Sequence, residues 1–434
     1  LKAASHARSL GAKDDANQIY QQAESLTRNA PPNQFTASDV LMLYRQWGQF
    51  AYEADQIDRL EEIGFKLQYL GEQEHDPLLL GVSQMSLANA CFLRLKMDTG
   101  LELINKALEY LRHTGHKLVL LEAILRQATI YWWTMDYDEA IQACQESLRI
   151  GETIEPKDRF LIEFQFFARH GISYAYKAKG NAKKALSKAN ETYDHYFHKV
   201  SAFNRMRSFN MLSSAHLLAA NFKICEEYAE QGLEIARNLE NRFVAQILLV
   251  NLSEAETIQG HLDEALINAS MALKISEREN YTHSIISANR VIGDIYSNLQ
   301  NYNLALRHYR VAQLRGGYKK DSLYSLENDL SLAWALAWMG HLGEARALAT
   351  HAFDVSQDLG MTQIFVHAHL KLGICDLIER NLPGAEAHIQ QAEHQALDKG
   401  LVYEQVLCKV GRARIALSRH QFNSCQKTIT EILE

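Results

Sequence analysis

Apolar positions in this chain follow the three- and four-residue spacing of a helical face, and short polar turns interrupt that face at regular intervals. Four segments make the interval visible: GHLDEALINASMAL (260–273), QNYNLALRHYRVAQL (300–314), GHLGEARALATHAF (340–353) and RNLPGAEAHIQQAE (380–393), each 40 residues from the last. The same register places turns at Lys13, Ile57, Met97, Tyr137, Ala182, Phe222, Leu262, Tyr302, Leu342, Leu382 and Phe422. Eight of the ten steps are 40 residues and two are 44 and 45, so eleven units fill the sequence.

The residue nine before each turn is small in every unit: Ala4, Gly48, Ala88, Ala128, Ser173, Ser213, Ser253, Gly293, Ala333, Gly373 and Ala413. If about a quarter of residues are Gly, Ala or Ser, chance gives such a column with a probability on the order of one in a few million. A second small column lies three after the turn (Ala16, Gly100, Ala140, Ala185, Cys225, Ala265, Ala305, Ala345, Ala385, Cys425), broken by Leu60. A third lies seven further on (Ala23, Ala107, Ser147, Thr192, Gly232, Ala272, Ala312, Ala352, Ala392), broken by Leu67 and Ile432. Two antiparallel helices joined by a tight turn approach closely only where facing side chains are small, with large neighbours such as Tyr296 and Tyr309 filling the grooves. Leucine at Gly293 or Ala305 is therefore expected to overpack. Asp76–Pro77 and Asp321–Ser322 supply helix starts, and Gly360 and Gly400 stand where a helix ends.

The spacing small-x11-small-x6-small, with an aromatic before the second small column, resembles the tetratricopeptide repeat over essentially the whole chain. The period is 40 rather than 34, and the family's Pro near the end of the second helix is missing from nearly every unit; both departures imply longer helices. Such units are similar to the repeat domain of the maltose-regulon activator and to the sensor arms of STAND-class signalling ATPases. The opening LKAASHARSLGAKDDANQIYQQAESL resembles the segment that follows the nucleotide-binding and winged-helix parts of those proteins. The resemblance implies an all-α fold, a right-handed α-solenoid of about eleven antiparallel helix-turn-helix units. It further implies one superhelical domain over residues 1–434, excised from a longer multidomain protein.

Composition narrows the function. A prior of about 150 residues per domain would give three globular domains, but 22 Gly and 5 Pro supply too little turn chemistry for a strand-rich fold. Lys+Arg 45 against Asp+Glu 52 leaves a net charge of −7, without the basic field that a phosphate-backbone binder needs. Direct nucleic-acid binding is not expected. Cys91, Cys144, Cys225, Cys375, Cys408 and Cys425 show no CxxC or Cys/His ligand spacing, which points to packing roles and a reducing, cytoplasmic setting. The longest apolar run, Leu332–Met339, is eight residues, too short to span a membrane. No Gly-rich phosphate loop, HExxH, GxSxG or kinase signature occurs, so neither catalysis nor a cofactor is expected. His195 and His198 share a helix face at i,i+3, whereas His367 and His369 at i,i+2 do not; no metal is expected.

In the tetratricopeptide family the groove is lined by first-helix positions three before and one, four and five after the invariant small residue. The resemblance carries this onto His170, Tyr174 and Lys177; Arg207, Asn210 and Ser214; Val250, Asn251 and Glu254; Arg290, Asp294 and Asn298, with Asn251 at the edge of the set. On either side the corresponding wall is apolar and aromatic: Phe92 and Leu93, Trp132 and Trp133, then Trp334 and Trp338, Ile374 and Leu377. A polar middle with aromatic flanks suits an extended peptide or protein segment. Plainer roles fit the same residues: Glu254 and Arg290 as an ion pair between adjacent first helices, Trp132, Trp334 and Trp338 as gap fillers, and Lys177, Lys179, Lys183, Lys184 and Lys188 as a solvated edge. The function expected first is a non-catalytic sensor arm that binds a peptide, protein segment or small effector and docks onto an ATPase or other output domain. A passive adaptor and a peptide-pheromone receptor are the alternatives.

Overall fold

The computed structural model describes residues 1–9, 13–31, 34–54, 56–94, 96–155, 159–316 and 321–433, among which it forms twenty-two α-helices and no strand. The chain divides into two compact units, residues 1–168 and 169–434. The first contains α1 (Lys2–Ser9), α2 (Lys13–Asn29), α3 (Ala37–Glu53), α4 (Ile57–Glu74), α5 (Pro77–Leu93), α6 (Met97–Leu111), α7 (Lys117–Thr134) and α8 (Tyr137–Glu152), and the division falls within α9 (Arg159–Ala178). The second continues with α10 (Ala182–Tyr196), α11 (Ala202–Leu218), α12 (Phe222–Asn238), α13 (Arg242–Gln259), α14 (Leu262–Glu279), α15 (Thr282–Asn298) and α16 (Tyr302–Gly316). It ends with α17 (Leu323–Trp338), α18 (Leu342–Asp358), α19 (Thr362–Ile378), α20 (Leu382–Lys399), α21 (Val402–Ser418) and α22 (Phe422–Leu433). Every even-numbered helix starts on one of the eleven expected turn residues.

The turns explain the register. Two residues before the second helix, Gly180, Ala220, Gly260, Gln300, Gly340, Arg380 and His420 all have left-handed φ, between 58° and 86°. The next amide reaches back five residues to close each helix, as in Asn221 N to His216 O (2.9 Å), Asn301 N to Tyr296 O (2.8 Å) and Asn381 N to Asp376 O (2.8 Å). Helix starts are capped by side chains: Asp76 Oδ1 accepts from Leu78 N at 2.7 Å, ahead of Pro77 in the first turn, and Thr36 and Asp39 form a capping box.

All eleven residues of the first small column are buried. Ser173 and Ser253 use their hydroxyls to bind the carbonyls of Ala185 (2.9 Å) and Ala265 (2.7 Å), so the column also ties the two helices of a hairpin together. The breaks at Leu60 and Leu67 have a structural reason. On α4 the small positions have moved one helical turn, to Gly64 and Gly71, where a Cβ would come within 2.6 Å of Leu87 and 2.9 Å of Leu80. In the first unit the core runs through Tyr20, Trp47 and Phe50, with Tyr20 and Trp47 stacked at 5.9 Å.

In the second unit, each first helix from α11 to α19 packs on the next first helix, while among the described residues no second helix packs comparably on the following one. The row of hairpins therefore curves with its first helices inward. The curve closes on itself. Thr362 N donates to Lys179 O at 3.0 Å, and Lys183 Nζ caps the end of α20 by donating to the carbonyls of Leu397 (3.3 Å) and Asp398 (3.2 Å). Phe222 meets Tyr403 edge to face at 6.0 Å, and Ala182, Ala185 and Leu218 share a core with Val366, Leu370 and Leu401. Gly180, at φ 66°, is where the chains come closest: a Cβ there would overlap the Gln363 amide nitrogen. Part of the lysine run is thus a seam within the unit, where Lys183 binds the negative end of a helix.

A histidine pair sits in the same unit. His369 Nδ1 and His388 Nδ1 are 2.8 Å apart, and the surrounding charges are Asp376, 3.7 Å from His388 Nε2, and Arg346, paired with Asp376 at 2.9 Å. Burial pushes His369 down to about 4 and also lowers His388, which Asp376 only partly offsets. A histidine lowered in the folded state binds fewer protons than the unfolded chain, so its contribution is complete above the ordinary value of 6.5 and is lost as pH falls toward 4. The thermal midpoint is expected to drop across that interval, and a His369→Gln variant to drop less steeply; parallel profiles would show that the pair is not responsible.

Candidate functional site

Because the first helices of residues 169–434 turn inward, side chains from helices far apart in sequence meet on one face. Tyr174 of α9 and Tyr324 of α17 bring their hydroxyls to 3.1 Å, and Asp294 on α15 acts electrostatically on Lys371 of α19 and Tyr403 of α21. At the centre lies Arg290. Its guanidinium binds Glu254 on α13, Asp294 at 3.0 Å on its own helix, and Glu327 on α17 at 3.8 Å. One cation thus serves three carboxylates, all partly open to solvent, with side-chain exposures of 22%, 28% and 20% against 12% for Arg290. Asp294 also accepts from Tyr309 Oη at 2.7 Å, and burial together with Asp294 holds that phenol well above its ordinary range.

A second group lies on α17, α19 and α21. Trp334 and Trp338 meet edge to face at 5.6 Å, with Lys371 Nζ 4.7 Å from the Trp334 ring and the Arg414 guanidinium 5.5 Å from Trp334 and 5.1 Å from Trp338. Burial pushes Lys371 down to about 8, helped by the nearby Arg414 and opposed by Asp294; burial also lowers Arg414. Trp334 packs partly on the core through Ala333 and Leu336, while Trp338 is 41% exposed.

The residues expected at the groove fall into separate groups. Glu254, Arg290 and Asp294 come together. Asn210 and Asn251 form a brace between α11 and α13, with Asn251 Nδ2 donating to Ser214 Oγ at 2.9 Å, Ser213 Oγ at 3.0 Å and Asn210 Oδ1 at 3.4 Å. His170 is buried, and burial together with the Arg207 charge holds it well below the usual histidine range. Arg207 lies 5.8 Å from the Phe203 ring, Tyr174 reaches Tyr324, and Lys177 is half-buried at the end of α9. Trp334 belongs to the cation–indole group. Trp132 belongs to the first unit, where its ring lies 5.6 Å from Phe167.

Glu327, Lys371 and Arg414 were missed by sequence reasoning, yet the repeat register contains them. Arg414 follows Ala413 at the position occupied by Asp294 after Gly293. Lys371 is two before Gly373, as Asn251 is two before Ser253, and Glu327 is six before Ala333, as Arg207 is six before Ser213. Among the described residues, no three His, Cys, Asp or Glu side chains converge as a metal set, no cysteine is in a disulfide, and no helix is long and apolar enough to cross a membrane.

No family model matches the sequence, and no curated protein does. Solved structures do match in fold. A Rap protein complexed with Competence and Sporulation Factor superposes with a TM-score of 0.63, covering 81% of this chain and 96% of that one at 11% identity. The apo form of the quorum sensor NprR from B. thuringiensis gives 0.53 over 81% and 97% at 12% identity. A STAND protein with a tetratricopeptide sensor from Pyrococcus horikoshii gives 0.43 over 93% and 65% at 15% identity. The chain is a tetratricopeptide-like helical-repeat protein.

Proposed function

We propose that residues 169–434 form the recognition part of a non-catalytic regulatory arm, which takes a peptide or protein segment on the inward face of its first helices. The observation behind this reading is the unequal charge cluster of Glu254, Arg290, Asp294 and Glu327, partly solvated and followed by an aromatic wall. A packing device would balance its charges, whereas a recognition surface keeps some in reserve for a ligand. The fold adds support, since one protein that shares it is solved with Competence and Sporulation Factor and another is a quorum sensor. Occupancy would bias the closed seam of the unit, a population shift that an output domain in a longer, cytoplasmic protein could read.

Titration calorimetry and thermal shift against pooled synthetic peptides, with sugars and nucleotides in parallel, test the reading. A peptide present at about a hundred times its Kd adds about 2.7 kcal/mol and raises the midpoint by several degrees. Trp338→Ala, at a half-exposed position, is expected to remove that rise when each protein is compared with its own ligand-free midpoint. A sugar or nucleotide that alone raises the midpoint would establish a small-effector sensor instead. If nothing raises it, and partner capture survives changes at Glu254, Arg290 and Trp338, the adaptor reading replaces this one.

A further inference from the structure

The second helices of residues 169–434 lie on the outer side of the curve, and the 40-residue register lets their outermost positions be compared directly. Three such positions recur: Glu227, Gln231 and Glu234 on α12, Ile267, Met271 and Lys274 on α14, Arg307, Val311 and Leu314 on α16, and Ala347, His351 and Asp354 on α18. An outward stripe carries polar side chains where nothing covers it. Two adjacent hairpins depart from that rule together. Ile267 and Met271 are 63% and 47% exposed, and Val311 and Leu314 are 42% and 83% exposed. Beside Ile267 and Met271 runs a shallow groove, lined also by Leu266, Ser270 and Lys274. Between α16 and α18 an ion pair of Arg310 with Glu344 bridges the two second helices. The same two places between α14 and α16 hold Ser270 and Leu304, which cannot form one, so the space there stays open and apolar.

The surrounding charges state what fits. On one side α12 exposes Glu227, Glu230 and Glu234, and on the other α16 exposes Arg307 and Arg315; none of the five has an ion-pair partner among the described residues. An exposed apolar stripe with unpaired charge of opposite sign along its two edges is complementary to an amphipathic helix. Ile267 and Met271 at i,i+4, and Val311 and Leu314 at i,i+3, lie about one turn apart on each bank, the spacing at which the side chains of a helix laid in the groove interdigitate. A second copy of the chain fits poorly, because an outward-curving surface meets its own image over too small an area for a stable dimer. We propose that the groove between α14 and α16 docks an amphipathic helix of a partner protein, its apolar stripe covering Ile267, Met271, Val311 and Leu314. An acidic edge of that helix lies over Arg307 and Arg315, and a basic edge lies toward Glu227, Glu230 and Glu234. This surface is on the opposite side of the repeats from the inward face and does not depend on what that face binds.

The test uses the full chain and fluorescein-labelled synthetic helices that share one leucine stripe at i, i+3, i+4 and i+7. One carries Glu along one edge and Lys along the other, a second carries Glu on both edges, a third carries Lys on both, and a fourth is the first in scrambled order. Anisotropy titration is expected to rank the mixed-edge helix first, at least tenfold tighter than the scrambled one and threefold tighter than either single-sign helix. The net charge of −7 acting alone would instead rank the Lys-edged helix first, and that order overturns the proposal. Met271→Asp should weaken the mixed-edge helix at least tenfold; Ile267→Ser, at a more exposed position, repeats the measurement in case the first variant melts early. Arg307→Glu with Arg315→Glu should turn the preference toward the Lys-edged helix. Equal binding of the scrambled helix, or binding that survives both Met271→Asp and Ile267→Ser, overturns the groove. So does loss of binding on Trp338→Ala alone, which would put the helix on the inward face. A doubled mass in light scattering that Met271→Asp returns to one chain would make the occupant a second copy, and binding to anionic vesicles that the same change removes would make it a membrane surface; either result overturns the partner helix.

Discussion

Alanine at position 293 is expected to destabilise the protein, although replacing a helical glycine by alanine ordinarily stabilises a helix by about 1 kcal/mol. The reason is the facing ring: a Cβ at Gly293 would lie 2.7 Å from Tyr309 Cδ1 and 2.9 Å from Cζ. Tyr309 is fully buried and pinned by its bond to Asp294, so it cannot swing away. Overpacking of about 1–3 kcal/mol outweighs the propensity gain and leaves a net loss of about 1 kcal/mol, with leucine costing more. Tyr309→Ala alone should cost about 3–5 kcal/mol through the cavity it leaves. The double variant is the informative one. Gly293 faces Tyr309, whereas the neighbouring repeats place Ala269 after Ser253 and Ala349 after Ala333, so G293A with Y309A reproduces a pairing already used nearby. Denaturant midpoints should show the double change costing at least 1 kcal/mol less than the sum of the singles. Simple additivity would mean that the two positions do not pack on each other.

Removing the guanidinium at position 290 should be the other large effect. Arg290→Met takes from Glu254, Asp294 and Glu327 the guanidinium that they share. Breaking a buried pair from one side costs about 3–5 kcal/mol; partial exposure of all four side chains reduces this to about 2–3 kcal/mol. The triple change E254Q, R290M and E327Q should recover most of the lost midpoint. If the single and triple variants melt together, charge imbalance is not what Arg290 relieves.

The hairpin register was fully legible because it depends on side-chain volume, which sequence states outright: the turn positions from Lys13 to Phe422 are the starts of the second helices. Substitutions in space were not. The leucines at 60 and 67 look like failures of the small columns until Gly64 and Gly71, one turn on, are seen facing α5. The pairing of Glu254 with Arg290 was visible as an adjacency, but the third acid, Glu327, was not, because its contact depends on how far one repeat rotates against the next. Lys371 and Arg414 were hidden by the same rotation. The seam was the least legible feature, since Lys179 and Thr362 are 183 positions apart and nothing local in either segment marks them as partners.

That seam also limits how this array can change length. Linear repeat arrays tolerate gain or loss of a unit, since each repeat contacts only its neighbours and melting can begin at either end. Here Lys183 must reach the carbonyls of Leu397 and Asp398, and Gly180 must clear Gln363, so the number of hairpins between them is fixed by circumference. Duplication or deletion of one 40-residue unit between α10 and α19 would leave the two edges out of register, giving residues 169–434 the indel intolerance of a ring.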